Sequence, residues 1–209
     1  MTNFTVLSPN VVNVLRTNSL VLDLRIPELF ERGYIPGSLN IGNNGDWEEK
    51  LLSLVEKDRS LLLLCPDTSF EVWTGKIRAL GYTEIQGVLI GGFDAWLNAG
   101  LPYDMIISIT PEEFWMDFGF LKENEKVIDV RTAEEVAEGT VFEALSIPLE
   151  SLWDALHQLS PANTYYIYCS GGYRSMIAAS ILKMNGIPWV KNVLGGYTRL
   201  QIEKPTFTK

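Results

Sequence analysis

Histidine and cysteine are the scarce residues of this chain, which has one histidine, His157, and two cysteines, Cys65 and Cys169, in 209 residues. With a single histidine there is no Ser/His/Asp or Cys/His apparatus apparent, and no cluster of side chains has metal-ligand spacing, so neither a metal nor an organic cofactor is expected. Two cysteines so far apart argue for reduced thiols rather than a disulfide framework. Long apolar runs are missing too, and nothing in the sequence is long enough to cross a bilayer. The opening Met1-Thr2-Asn3-Phe4-Thr5 has neither the basic start nor the apolar core of a secretory signal, so residence in the cytoplasm is expected. Cations are outnumbered, 17 Lys and Arg against 26 Asp and Glu, and the formal charge of −9 argues against a nucleic-acid or anionic-membrane partner. An anionic ligand would therefore have to be drawn in by a local field. No low-complexity or Gly/Ser-rich stretch marks a flexible tether.

What the chain does contain is an ordinary globular composition, 46% hydrophobic and 21% charged, which is enough apolar material for a real core. It also repeats itself about halfway along. Val21-Leu22-Asp23-Leu24-Arg25 matches Val127-Ile128-Asp129-Val130-Arg131, and an acidic, helix-prone stretch follows each run. Leu61-Leu62-Leu63-Leu64-Cys65 answers the strand before Cys169, Ile77 to Gly81 answers Leu182 to Gly186, and Val88 to Phe93 answers Val193 to Tyr197. Aligned backwards from Gly81 and Gly186, Cys65 falls opposite Ser170. Thr110-Pro111-Glu112-Glu113 predicts a helix start with a capping box, and Ser8-Pro9-Asn10 is its counterpart. Each half reads as short strands alternating with helices of about ten residues, an α/β pattern that calls for a mostly parallel sheet with helices on both faces. The expected domains are 1–104 and 105–209, a common size.

The most informative stretch is Tyr165-Tyr166-Ile167-Tyr168-Cys169-Ser170-Gly171-Gly172-Tyr173-Arg174-Ser175, followed by the apolar Met176 to Leu182. It predicts a strand, a short loop and a helix, with Cys169 at the strand's carboxyl end. A loop entering a helix points backbone N–H groups inward, so an anion above the cysteine, or the sulfur itself, would be surrounded by favourable dipoles. Amides and the guanidinium of Arg174 both favour a thiolate. The alternative is a buried structural cysteine.

The loop Cys169-Ser170-Gly171-Gly172-Tyr173-Arg174-Ser175 resembles the active-site loop of the rhodanese (sulfurtransferase) family, in which a cysteine carries a persulfide inside a cradle of loop amides. Four residues separate Cys169 from Arg174, whereas cysteine-dependent phosphatases place five there, and the tighter cradle suits a sulfur atom better than a tetrahedral phosphate. Asp23-Leu24-Arg25 with Gly33-Tyr34-Ile35-Pro36-Gly37-Ser38-Leu39-Asn40 is similar to the family's DxR and GHIPGAxN signature, with tyrosine in place of histidine. The second half keeps Asp129-Val130-Arg131, but Gly139 to Ser146 has lost the histidine, the proline and the second glycine. The first half carries Cys65-Pro66-Asp67-Thr68-Ser69-Phe70 where a reactive loop would be, without arginine or glycine.

The resemblance implies two tandem rhodanese-like domains, the first degenerate and non-catalytic and the second catalytic. It implies a sulfurtransferase that takes sulfur from a small anionic donor such as thiosulfate onto Cys169. Ser170, Gly171, Gly172, Tyr173, Arg174 and Ser175 would bind the donor and the persulfide. The acceptor would be a thiol, a cyanide-like nucleophile or a protein. A non-catalytic binding or persulfide-sensing module is the other reading these residues leave open.

The remaining candidates read more plainly. Asp23, Arg25, Asp129 and Arg131 lie two apart at strand ends, face the same way, and are expected to brace turns. His157 falls beside the stripe of Leu152, Leu156 and Leu159 on one expected helix and should be solvated. Six scattered tryptophans read as core. The pairs Gly91-Gly92 and Gly195-Gly196 lack the context of a phosphate loop and read as turns.

Overall fold

The computed structural model describes residues 4–66 and 68–204. The chain divides after Met105 into two compact units, each built on one five-stranded sheet. The first contains β1 (Val6–Leu7), β2 (Leu20–Asp23), β3 (Ser38–Asn40), β4 (Leu61–Leu64) and β5 (Ile85–Leu89), in the order β1-β5-β4-β2-β3. The second contains β6 (Ile107–Ile109), β7 (Glu125–Asp129), β8 (Leu145–Ser146), β9 (Thr164–Tyr168) and β10 (Val190–Val193), in the order β6-β10-β9-β7-β8. Every pairing is parallel, and corresponding strands take corresponding places, as the internal repeat predicts. Parallel neighbours need crossovers, and helices flank both sheets.

The central strands are β4 and β9. Leu61, Leu62, Leu63 and Leu64 are all buried, as an uninterrupted leucine run must be when both faces of its sheet are packed. Each such side chain contributes roughly 1.5–3 kcal/mol over an exposed one. In β9 the same role falls to Tyr165, Tyr166, Ile167 and Tyr168, all buried. All three tyrosine hydroxyls have partners, Tyr165 accepting from Asn163 Nδ2 at 3.4 Å. Tyr166 donates to Asp117 at 2.8 Å, and the Tyr168 hydroxyl accepts the Val141 amide at 3.1 Å.

Helix boundaries follow local chemistry. Before α6 (Pro111–Phe118), Thr110 and Glu113 form the expected capping box, whereas Ser8, which precedes α1 (Pro9–Leu15), makes no side-chain cap. A second box, Thr132 with Glu135, opens α7 (Ala133–Ala137). The long helices α4 (Phe70–Ala79) and α9 (Tyr173–Met184) are followed by Gly81 and Gly186, whose φ values of +100° and +79° suit glycine. Ser175 through Leu182 are buried without a break, so α9 is a core helix rather than an amphipathic surface one. Among the described residues, no helix is long and apolar enough to cross a membrane.

Three expectations need correction. The strand register places Cys65 opposite Cys169, not Ser170, because Asp23 pairs with Leu64 as Asp129 pairs with Tyr168. Counting back from the glycines misled because the stretch from cysteine to glycine is one residue shorter in the first unit. The segment 149–159 is not one helix but a 3-10 turn at Leu149–Ser151, one α-turn at Leu152–Ala155 and a second 3-10 turn at Leu156–Gln158, with His157 exposed. The tryptophans are not all core: Trp47, Trp73, Trp96 and Trp115 are buried, but Trp189 is 61% exposed.

Candidate active site

Cys169 is the first residue beyond the carboxyl end of the central strand β9, the position at which parallel α/β sheets present their ligands. It is 1% exposed. The chain turns at once into α9 through Ser170, Gly171 and Gly172. Gly172, with φ of +106°, directs its amide back to Cys169, donating to Sγ at 3.1 Å. A side chain at this φ would be strained, so the second loop glycine is needed for that donor. The next turn of the helix brings Ser175 beneath the sulfur, with Oγ 3.7 Å from Sγ. Ser175 is fully buried, and its hydroxyl lies 2.7 Å from Oδ1 of Asn192 and 3.0 Å from the Gly172 carbonyl. Asn192, on β10, donates from Nδ2 to Ser108 of β6 at 3.2 Å. A buried polar chain thus runs from the sulfur across two strands.

The loop's own carbonyls are held from the other side. Amides of Tyr197 and Thr198, at the start of α10 (Gly196–Ile202), donate to the carbonyls of Cys169 at 2.7 Å and Ser170 at 3.2 Å. A Cβ on Gly196 would lie 2.2 Å from the Cys169 carbonyl oxygen. The Gly195-Gly196 pair is therefore a turn, as expected, and one that lets backbone reach backbone.

Arg174 does not stand free above the loop. Its Nη1 and Nη2 donate in parallel to Oε2 and Oε1 of Glu135 at 2.6 and 2.7 Å, and Nη2 also reaches Ser170 Oγ at 3.2 Å. Ser170 donates to Glu135 Oε1 at 2.5 Å, and the Thr132 amide donates to Oε2 at 2.9 Å. Four donors on one carboxylate, the arginine foremost, hold the Glu135 pKa well below the usual carboxylate range. The same pairing raises the Arg174 pKa above its ordinary value. Arg174, expected to meet a donor, is held by Glu135, which is not among the expected site residues. The signal was present in Thr132-Ala133-Glu134-Glu135, whose spacing is that of a capping box.

Of the other expected site residues, Gly171 is exposed, and Tyr173 begins α9 half-buried. The DxR pairs brace, as expected. Arg131 binds Asp129 through Nε and Nη2, with the Nη2–Oδ2 contact at 2.6 Å, and Nη2 also donates to the Gly139 carbonyl at 2.7 Å. Arg25 repeats this with Asp23 and Gly33. Each clamp ties a strand end to the far side of its loop.

The first unit shows what the same frame holds without this loop. Cys65 is buried and lies on a cavity of about 360 Å³ whose walls include Leu29, Pro66, Phe70 and Phe93. Leu29 stands at the position that Glu135 takes in the second unit, counted from the matching DxR clamps.

These two parallel α/β units, each with a cysteine just past its central strand, define a tandem cysteine-centred protein. The chain belongs to the rhodanese-like domain family, which matches it twice, over residues 10–99 and 115–203. It is 30% identical over 114 residues to the uncharacterized protein YqhL of Bacillus subtilis, spanning 54% of this chain and 87% of that one. A protein named sulfurtransferase from Allochromatium vinosum is 31% identical over 74 residues, 35% of this chain and 69% of its own. Among solved structures, the rhodanese-like domain protein from Staphylococcus aureus is 34% identical, covering 46% of this chain and 91% of that one with a TM-score of 0.42.

Proposed function

We propose that the chain is a sulfurtransferase that carries a sulfane sulfur on Cys169, in its second rhodanese-like domain. The observation that supports this most directly is the buried Cys169 sulfur receiving the Gly172 amide at 3.1 Å, with the Ser175 hydroxyl beneath it. An N–H aimed at sulfur favours its anionic forms, thiolate before transfer and persulfide after it. In the first step the Cys169 thiolate attacks the outer sulfur of a donor; a sulfur–sulfur bond forms, and the donor's own bond to that sulfur breaks. With thiosulfate the leaving group is sulfite, and no electron is gained or lost overall. In the second step an acceptor thiolate, or cyanide, attacks the terminal sulfur and restores the Cys169 thiolate. This is covalent catalysis by a nucleophile in two displacements. The Gly172 amide stabilises the sulfur anion, Ser175 ties the loop to Asn192 beside it, and Ser170 with Arg174 shapes the mouth of the loop.

Intact mass after incubation with thiosulfate is the test. A gain of one sulfur atom, lost on adding cyanide with formation of thiocyanate, is the expected result. Cys169→Ser should abolish both, since a hydroxyl of nearly the same size cannot carry a persulfide. A variant that still gains sulfur and turns over would end the assignment to Cys169.

A further inference from the structure

Resting on the sulfur-transfer reading, the geometry points to Glu135 as the residue that sets which donor charge the site accepts: by pairing with Arg174 it removes the loop's free cation and selects against dianionic donors. The pairing is bidentate, 2.6 and 2.7 Å, and the same carboxylate is anchored by Ser170 and by the Thr132 amide. Glu135 is therefore a fixed part of the loop's electrostatics rather than a passing surface contact.

Three further cations of this unit are also committed. Arg131 is paired with Asp129, Lys191 with Asp117, and Arg199 with Glu203. Glu150 acts on Arg174 as a further nearby negative charge. With Cys169 as a thiolate, one guanidinium thus faces three anionic groups, and the overall charge of −9 adds to the repulsion. A donor arriving with two negative charges, such as thiosulfate, meets more repulsion than one arriving with a single charge or none. The donors this site favours are those in which the outer sulfur is bound to a group of low charge, such as an organic persulfide or a thiosulfonate.

Thiosulfate and methanethiosulfonate make a matched pair of probes. Both yield the same Cys169 persulfide; the first releases sulfite and carries two charges, the second releases methanesulfinate and carries one. In Glu135→Gln, kcat/KM for thiosulfate should rise relative to that for methanethiosulfonate by about tenfold, the scale of one partly screened charge interaction. Most of that change should lie in KM. A collapsed loop would depress both donors together and leave the ratio alone. Glu135→Leu, which installs the residue that the first unit tolerates at this position, should shift the ratio the same way and guards against a variant that fails to fold. Thr132→Ala removes the cap without removing the charge and should leave the ratio unchanged. An unchanged ratio in both Glu135 variants, with transfer intact, overturns the role given to Glu135 alone. No transfer from either donor in the unaltered protein overturns it together with the sulfur-transfer reading.

Discussion

At the scale of single residues, the site is a set of side chains whose polar atoms are used more than once. The Ser175 hydroxyl touches the sulfur, the Gly172 carbonyl and Asn192, and Glu135 caps α7 while clamping Arg174. Neither role was legible from the residues' neighbours in sequence, because Asn192 lies 17 positions from Ser175, and Arg174 lies 39 positions from Glu135. A capping box is a local pattern and could have been read. The partner that turns it into an active-site clamp belongs to another strand–helix unit. The clamp has a consequence for acid stability. The folded protein holds Glu135 ionised well below its ordinary pKa of 4.5, so its contribution is fully present above about that pH and is lost progressively as pH falls further. Chemical denaturation of the native protein and of Glu135→Gln should therefore differ most near neutrality, and the gap should close in acid. A gap that widens in acid would mean that the carboxylate is not what holds the loop.

At the scale of elements, β2, β4, β7 and β9 were legible because apolar runs between turn residues have few alternatives, the two- and three-residue β1, β3, β6 and β8 were not, and helix ends were legible because Thr110 and the glycines after α4 and α9 have fixed backbone roles. The offset between Cys65 and Cys169 was not, since an apolar strand read alone has no register and a helix can gain or lose a residue. The turn before β8 shows what the second half lost. Glu143 stands where the signature has its second glycine, and it takes a left-handed φ of 58°, as Gly37 does at 86° in the first half. A residue with a Cβ costs about 1–2 kcal/mol there, while glycine costs roughly 0.5–1 kcal/mol in unfolded-chain entropy. Glu143→Gly should therefore stabilise the protein by about 0.5–1 kcal/mol, read as a rise in the thermal midpoint with no change in sulfur transfer. A fall would mean that the glutamate side chain makes a compensating contact.

At the scale of the whole molecule, the same frame occurs twice, and the glycine- and arginine-bearing loop occurs once. Both halves retain the strand order, the DxR clamp and a cysteine just past the central strand, so position in the fold does not distinguish the two cysteines. What separates them is the set of donors that follows. After Cys169 come Gly172, whose amide reaches the sulfur, and the Arg174–Glu135 clamp. After Cys65 comes Pro66, which has no N–H to give, and the sequence offers no cation before Lys76. Asp67 lies outside the described residues. Leu29 in place of Glu135 fits this division, because a clamp without an arginine has nothing to hold. Cys65→Ser should accordingly leave sulfur transfer within about twofold of the unaltered protein, with a packing loss of around 1 kcal/mol for a polar atom placed in a buried site. Peptide mapping after loading with thiosulfate should find the added sulfur on the Cys169 peptide alone. Comparable occupancy on Cys65 would show that burial at the end of a central parallel strand is by itself enough to make a cysteine carry sulfur, and the loop chemistry would then lose its place as the deciding feature.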